Sequence, residues 1–208
     1  MNISNVFNQF CNALQNRTGI MTEDNIRYYW FASMLRQDKD LNHYSLEEPY
    51  QTLSGKEMDL YYQDNNDELY FEIKFHRNNG KSDYHQTSAA GEIFDDLQRL
   101  KLIKTSKPQT HCYFLYVTDD IMHNYFISGR QQDKSFGKQL KNFYNPQIND
   151  PINLNFKGAP KTFLDSANKS LNNQNLMVFP NLQLILSRDF TCGSTSFNGD
   201  CHVRLYVI

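Results

Sequence analysis

The sequence contains no run of about 18 apolar residues, so no part of it is expected to cross a membrane as a helix. Its start, MNISNVFNQFCNALQNR, lacks the basic segment, apolar run and small-residue cleavage site of a secretion signal, and the expected compartment is the cytosol. Cysteine is scarce. Only 4 are present, Cys11, Cys112, Cys192 and Cys201, too dispersed for a disulfide scaffold, so reduced thiols are expected. The paired spacing of a zinc ribbon is missing too, although Cys192, Cys201 and His202 lie close together. No cysteine sits in a pattern that suggests thiol catalysis. Basic charge is not in excess either: 21 Lys and Arg against 23 Asp and Glu leave a net charge of −2. Attraction of the whole molecule to nucleic acid is thereby excluded, and any such contact has to come from a local patch. Glycine and proline, 9 and 6, form no stretch that would separate two domains.

What is present is an ordinary globular mixture, 39% hydrophobic and 21% charged, long enough to bury a full core. A single domain over residues 1–208 is expected, with a core of about 20–128 and a C-terminal elaboration of about 129–208 for recognition or dimerisation. Apolar residues at helical spacing predict helices over 4–16 and 22–37, the second capped by Thr22 with Glu23 and Asp24 at the positive end of its dipole. From 46 to 75 the period becomes alternating, and three segments separated by polar punctuation predict a three-stranded meander. A helix through SAAGEIFDDLQRLKLI and a buried strand in HCYFLYVTDD follow. A helix around 121–128 is next. Residues 130–160 read as irregular structure around a short helix. A helix over 162–172 and strands at LQLILS and HVRLYVI complete the chain.

The chemistry is concentrated in the hairpin formed by GKEMDLYYQ and ELYFEIKFH. If its turn is centred on Asn65-Asn66, residues whose numbers sum to about 131 oppose one another, and Asp59 faces Glu72. Alternation puts Leu69, Phe71, Ile73 and Phe75 on a core face, and Tyr70, Glu72, Lys74 and His76 on the other. Glu57, Asp59 and Tyr61 share that second face. Two carboxylates roughly 5 Å apart across a ladder repel. A hard divalent cation held by oxygens would offset the repulsion. Lys74, about 7 Å along the strand from Glu72, would reach a water or phosphate beside it. Such a set suits phosphodiester hydrolysis. The plainer alternative is that Lys74 pairs with Glu57 across the ladder as a surface ion pair.

Over about residues 22–118 this arrangement resembles the PD-(D/E)XK nuclease superfamily, the fold of many restriction endonucleases. GKEMDLYY supplies the aspartate, Asp59, and LYFEIKFH the Glu-x-Lys, Glu72 and Lys74. Met58 stands where the family name has proline. The resemblance implies an α/β fold with a restriction endonuclease-like core, a central mixed sheet flanked by helices. It implies catalysis by Asp59, Glu72 and Lys74, with Mg²⁺, or Mn²⁺ in its place, on Asp59, Glu72 and the backbone carbonyl of Ile73. Glu23 resembles the first-helix glutamate of many members, although an N-terminal helix acid favouring the dipole explains it equally. Glu48 is a further acid in reach, with a solvent-facing reading beside it.

The implied activity is DNA cleavage, of duplex DNA by a homodimer in a restriction or other defence role. The loop after Lys74 offers His76, Arg77, Lys81 and His85 as phosphate contacts. The charges of the following helix, Glu92, Asp95, Asp96, Arg99, Lys101, Lys104 and Lys107, read as a solvated face. The rivals are a catalytically inactive protein of the same fold that binds DNA or a partner, and an unrelated α/β binding module.

Overall fold

The protein is described by a computed structural model covering residues 1–77, 86–128, 135–193 and 199–208. In chain order its elements are α1 (Ile3–Gln15), α2 (Glu23–Leu35), β1 (Tyr44–Pro49), β2 (Glu57–Gln63), β3 (Glu68–His76), α3 (Gln86–Ser106) and β4 (His111–Thr118). They continue with α4 (Asp120–Ser128), α5 (Ser135–Tyr144), β5 (Pro151–Leu154), α6 (Lys161–Ala167), α7 (Lys169–Asn173), β6 (Leu182–Gly193) and β7 (Asp200–Val207).

The strands form one 7-stranded mixed sheet in the order β1-β2-β3-β4-β7-β6-β5. Parallel pairing occurs between β3 and β4 and nowhere else in the described ladders. Joining parallel neighbours takes a crossover, and α3 is that crossover. The expected α/β architecture, a mixed sheet flanked by helices, is what the chain adopts. The segment expected as an elaboration supplies β5 to β7, and β7 pairs with β4 from Tyr113–Val207 to Thr118–His202 in the middle of the sheet. Sequence reading missed β5, a 4-residue strand among prolines and polar residues. It also ran α6 and α7 together across Asn168.

Helices cover both faces. On one, Phe10 of α1 and Trp30 of α2 pack against Phe71, Leu115 and Leu205 of the sheet, with Trp30 edge-on between Phe10 and Phe71 at 5.4 and 5.7 Å. Thr22 caps α2 through a reciprocal capping box with Asn25, so the helix begins at Glu23 and fixes where that carboxylate stands. On the other face α3 lies over the sheet and is itself covered by α6. Gly91 permits this approach: a Cβ there would lie 2.7 Å from the Phe163 carbonyl oxygen and 2.6 Å from Ser166 Cβ. Because α3 is covered on both sides, Asp95, Asp96, Gln98 and Arg99 are buried as well as its apolar residues.

Candidate active site

The hairpin turn sets the register expected from the sequence, pairing Leu60 with Phe71, Tyr61 with Tyr70, Tyr62 with Leu69 and Gln63 with Glu68. The described ladder ends at Leu60–Phe71, one position before Asp59 and Glu72 would meet. The cause is visible in β2. Met58 packs in the core beneath α3 while Leu60, two residues on, packs beneath α2, so the strand's alternation is broken at Asp59. On the neighbouring strand Glu47 has φ 56°, and β1 pairs with β2 at Leu46–Leu60 and Glu48–Met58 on either side of it. This local twist turns Asp59 away from a simple cross-strand position.

Parting of the strands leaves backbone N–H groups of β3 without ladder partners, and buried N–H groups need acceptors. Asp59 Oδ2 accepts from the Ile73 amide at 2.6 Å, and Glu23 Oε2, from α2, accepts from the Phe75 amide at 3.2 Å. The free oxygens of these two carboxylates meet one nitrogen: Arg27 Nη2 is 2.7 Å from Asp59 Oδ1 and 3.0 Å from Glu23 Oε1. Glu23 is therefore a member of the constellation as well as an N-terminal helix acid. Glu48, the further acid, is half-buried and accepts from Ser45 Oγ at 2.6 Å.

Glu72 points to the α3 side and is 2% exposed. Its Oε1 accepts from the Tyr50 hydroxyl and from Arg99, whose Nε and Nη2 lie 3.2 and 3.1 Å away. Arg99 Nη2 also reaches Asp96 Oδ1 at 2.6 Å, and its Nη1 reaches Asp95 Oδ2 at 3.0 Å. The solvated helix face expected for Asp95, Asp96 and Arg99 is thus corrected to a buried ion network. Periodicity could not reveal it, because the second cover over α3 is made by α6 and α7, distant in sequence.

Lys74 is paired with Glu92 at 3.5 Å, and among the described residues no ion pair joins it to Glu57. Its neighbour on the same face, His76, is buried, with Nδ1 3.1 Å from the Tyr116 hydroxyl and Nε2 3.9 Å from Glu92. Arg77 is half-buried at the strand's end. Lys81 and His85 lie outside the described residues. The four cysteines are buried free thiols.

Seven carboxylates, Glu23, Asp24, Asp59, Glu72, Glu92, Asp95 and Asp96, thus meet three permanent cations, Arg27, Lys74 and Arg99, among the described residues. Burial, with crowded like charge behind it, marks the titrations. Burial pushes the Asp59 carboxyl up to about 6 against the pull of Arg27. Burial likewise raises Glu72 well above the usual carboxylate range, despite Arg99, with Asp96 and Asp59 adding to the rise. For Lys74, burial acts downward, but Asp96, Glu23 and Glu92 outweigh it and keep the ammonium charged.

Clustered hard oxygen donors fit a divalent cation. Within the described residues, however, no three His, Cys, Asp or Glu side chains are gathered as a preformed metal cage. The two arginines hold the carboxylates in pairs, Glu23 with Asp59 and Glu72 with Asp96. Sequence reasoning missed Arg27, Tyr50, Asp96 and Arg99. The available signal was Arg27 one helical turn after Glu23. Comparisons with protein-family models, curated proteins and solved structures give no match to this chain. Within the described residues no helix is long and apolar enough to cross a membrane.

Proposed function

We propose that this chain is a divalent-metal-dependent endonuclease of the PD-(D/E)XK kind, hydrolysing DNA phosphodiester bonds. One observation carries the reading: where β2 and β3 part, acids from α2, β2, β3 and α3 gather around a half-buried lysine and outnumber the permanent cations among the described residues. Asp59, Glu72 and the Ile73 carbonyl would hold Mg²⁺ or Mn²⁺, with Glu23 beside them. When bound, the metal supplies an acidified water and screens the phosphate.

The chain's own groups do the remaining work. Lys74, kept protonated by the surrounding carboxylates, donates a hydrogen bond to the attacking water or to a phosphate oxygen and offsets the charge that develops there. Tyr50 and Arg99 fix Glu72 through Oε1, so the described hydrogen bonds to this side chain leave Oε2 for another partner. Orientation held by buried neighbours keeps such a carboxylate in place during reaction. Duplex DNA is the substrate of this reading, and a homodimer suits cuts in two antiparallel strands. The protein's role is restriction or another form of defence.

A second reading is favoured by Arg27 and Arg99, which fill the carboxylates with internal cations: an inactive nuclease fold that binds DNA or a protein partner. Incubation of several supercoiled plasmids with Mg²⁺ or Mn²⁺ separates the two. The nuclease reading expects cleavage that falls at least about 100-fold in Asp59→Ala and in Lys74→Ala. Cleavage surviving both substitutions overturns the site assignment. DNA retention in a gel-shift assay, with every plasmid intact, favours the second reading.

A further inference from the structure

We infer that Arg27 is a built-in cation occupying the Glu23–Asp59 carboxylate pair, and that a divalent metal enters the site by displacing it. The inference rests on the divalent-metal reading above and adds where the ion enters and what opposes it. A single nitrogen, Arg27 Nη2, lies 3.0 Å from Glu23 Oε1 and 2.7 Å from Asp59 Oδ1. The other oxygens of both carboxylates are held by β3 amides, Phe75 for Glu23 and Ile73 for Asp59. The pair is therefore oriented by the backbone and stays oriented when the guanidinium leaves. Its two inward oxygens are hard donors suited to Mg²⁺ or Mn²⁺.

The two arginines differ in how firmly they are held. Arg99 is bonded to Glu72, Asp95, Asp96 and Ser170 and lies over the Tyr50 ring at 5.7 Å, so expelling it would strand several buried acids. Arg27 is 27% exposed, and its Nε is buried with no hydrogen-bond partner among the described residues. Its guanidinium also has somewhere to go: Nη1 lies 3.5 Å from Asp24 Oδ1, whose side chain is 71% exposed. A small shift along the helix surface exchanges the Glu23–Asp59 pair for Asp24 and water. Leaving the pair thus removes one poorly satisfied donor from the interior, whereas Arg99 has every guanidinium nitrogen engaged.

Calorimetric titration of the metal-free protein with Mn²⁺ tests this. Arg27→Gln should bind Mn²⁺ at least 10-fold more tightly than wild type, Arg27→Lys should fall between them, and Asp59→Asn should abolish binding in either background. Arg36→Gln, an exposed position on the end of the same helix, should bind as wild type does, which separates local displacement from a general loss of positive charge. Thermal melting gives a second readout: Mn²⁺ should raise the midpoint of Arg27→Gln more than that of wild type. Should Arg27→Gln be unfolded without metal, Arg27→Lys against wild type carries the comparison. Wild-type binding that depends on Asp59 but is unchanged or weakened by either Arg27 substitution overturns the displacement and leaves the metal reading standing. Absence of Mn²⁺ binding in wild type and both Arg27 variants overturns both.

Discussion

The two faces of the sheet are stabilised differently. Beneath α1 and α2 the interior is apolar, with Trp30 wedged between Phe10 and Phe71. Beneath α3 an equally buried layer contains Glu72, Asp95, Asp96 and Arg99. Burial of apolar surface stabilises the first face directly. In the second, a desolvated ion pair gains little over a hydrophobic pair of the same size, and it becomes costly when one partner is removed. A fold that keeps such a layer bears an electrostatic cost, and the charges are arranged around the end of β3 where the candidate chemistry lies. The contrast is between a buried layer that is apolar and one in which an ion network is set within an equally extensive apolar core.

The largest expected effect is on the apolar face. Trp30→Ala should lower unfolding free energy by about 3–5 kcal/mol in urea denaturation, because the cavity left between two aromatic rings and the sheet cannot collapse. A change below about 1 kcal/mol would break the comparison. Arg99→Ala comes next, at about 3 kcal/mol, since it leaves Glu72, Asp95 and Asp96 buried without their cation. In contrast, Glu72→Gln should cost much less, because Arg99 keeps Asp95 and Asp96. Equal losses in these two variants would show that the buried layer is not electrostatically asymmetric.

A pH series sharpens the same point. The Asp59 carboxyl is raised to about 6 from an unfolded value near 3.8, so the folded metal-free protein retains a proton that the unfolded chain has released. Its favourable contribution is complete below about pH 4 and is lost as pH rises through about 6. The melting temperature of Asp59→Asn relative to wild type should therefore shift in the variant's favour by on the order of 5 °C between pH 4 and pH 7 without metal. Burial lowers His123 to about 4, which acts in the opposite sense in both proteins and cancels in the difference. A pH-independent difference would remove desolvation of Asp59 from the account. The smallest effect is expected for Tyr50→Phe, about 1–2 kcal/mol from one hydrogen bond to Glu72, measured by the same denaturation series.

Much of the frame was legible because it depends on local patterns. The Asn65-Asn66 turn sets a hairpin register, and that register is present from Leu60–Phe71 to Gln63–Glu68. Thr22 caps α2 as its residue type and position suggest. The pattern failed at Asp59, where β2 turns its faces over and its carboxylate serves an amide of β3 instead of standing across from Glu72. Helical periodicity failed on α3 for a related reason. It identifies a polar side, but cannot tell water from a second protein layer, and here α6 and α7 supply that layer.

By itself, the sequence determined the order and type of most elements, the hairpin pairing and the presence of Asp59, Glu72 and Lys74 on adjoining strands, because turns, caps and alternation act over a few residues. Only the tertiary structure decided which charges share a buried space. Arg27 and Arg99 reach acids on other elements, and nothing in local spacing encodes those meetings. They follow from how α2 and α3 pack on opposite sides of β3, where removal from water makes each charge depend on its neighbours.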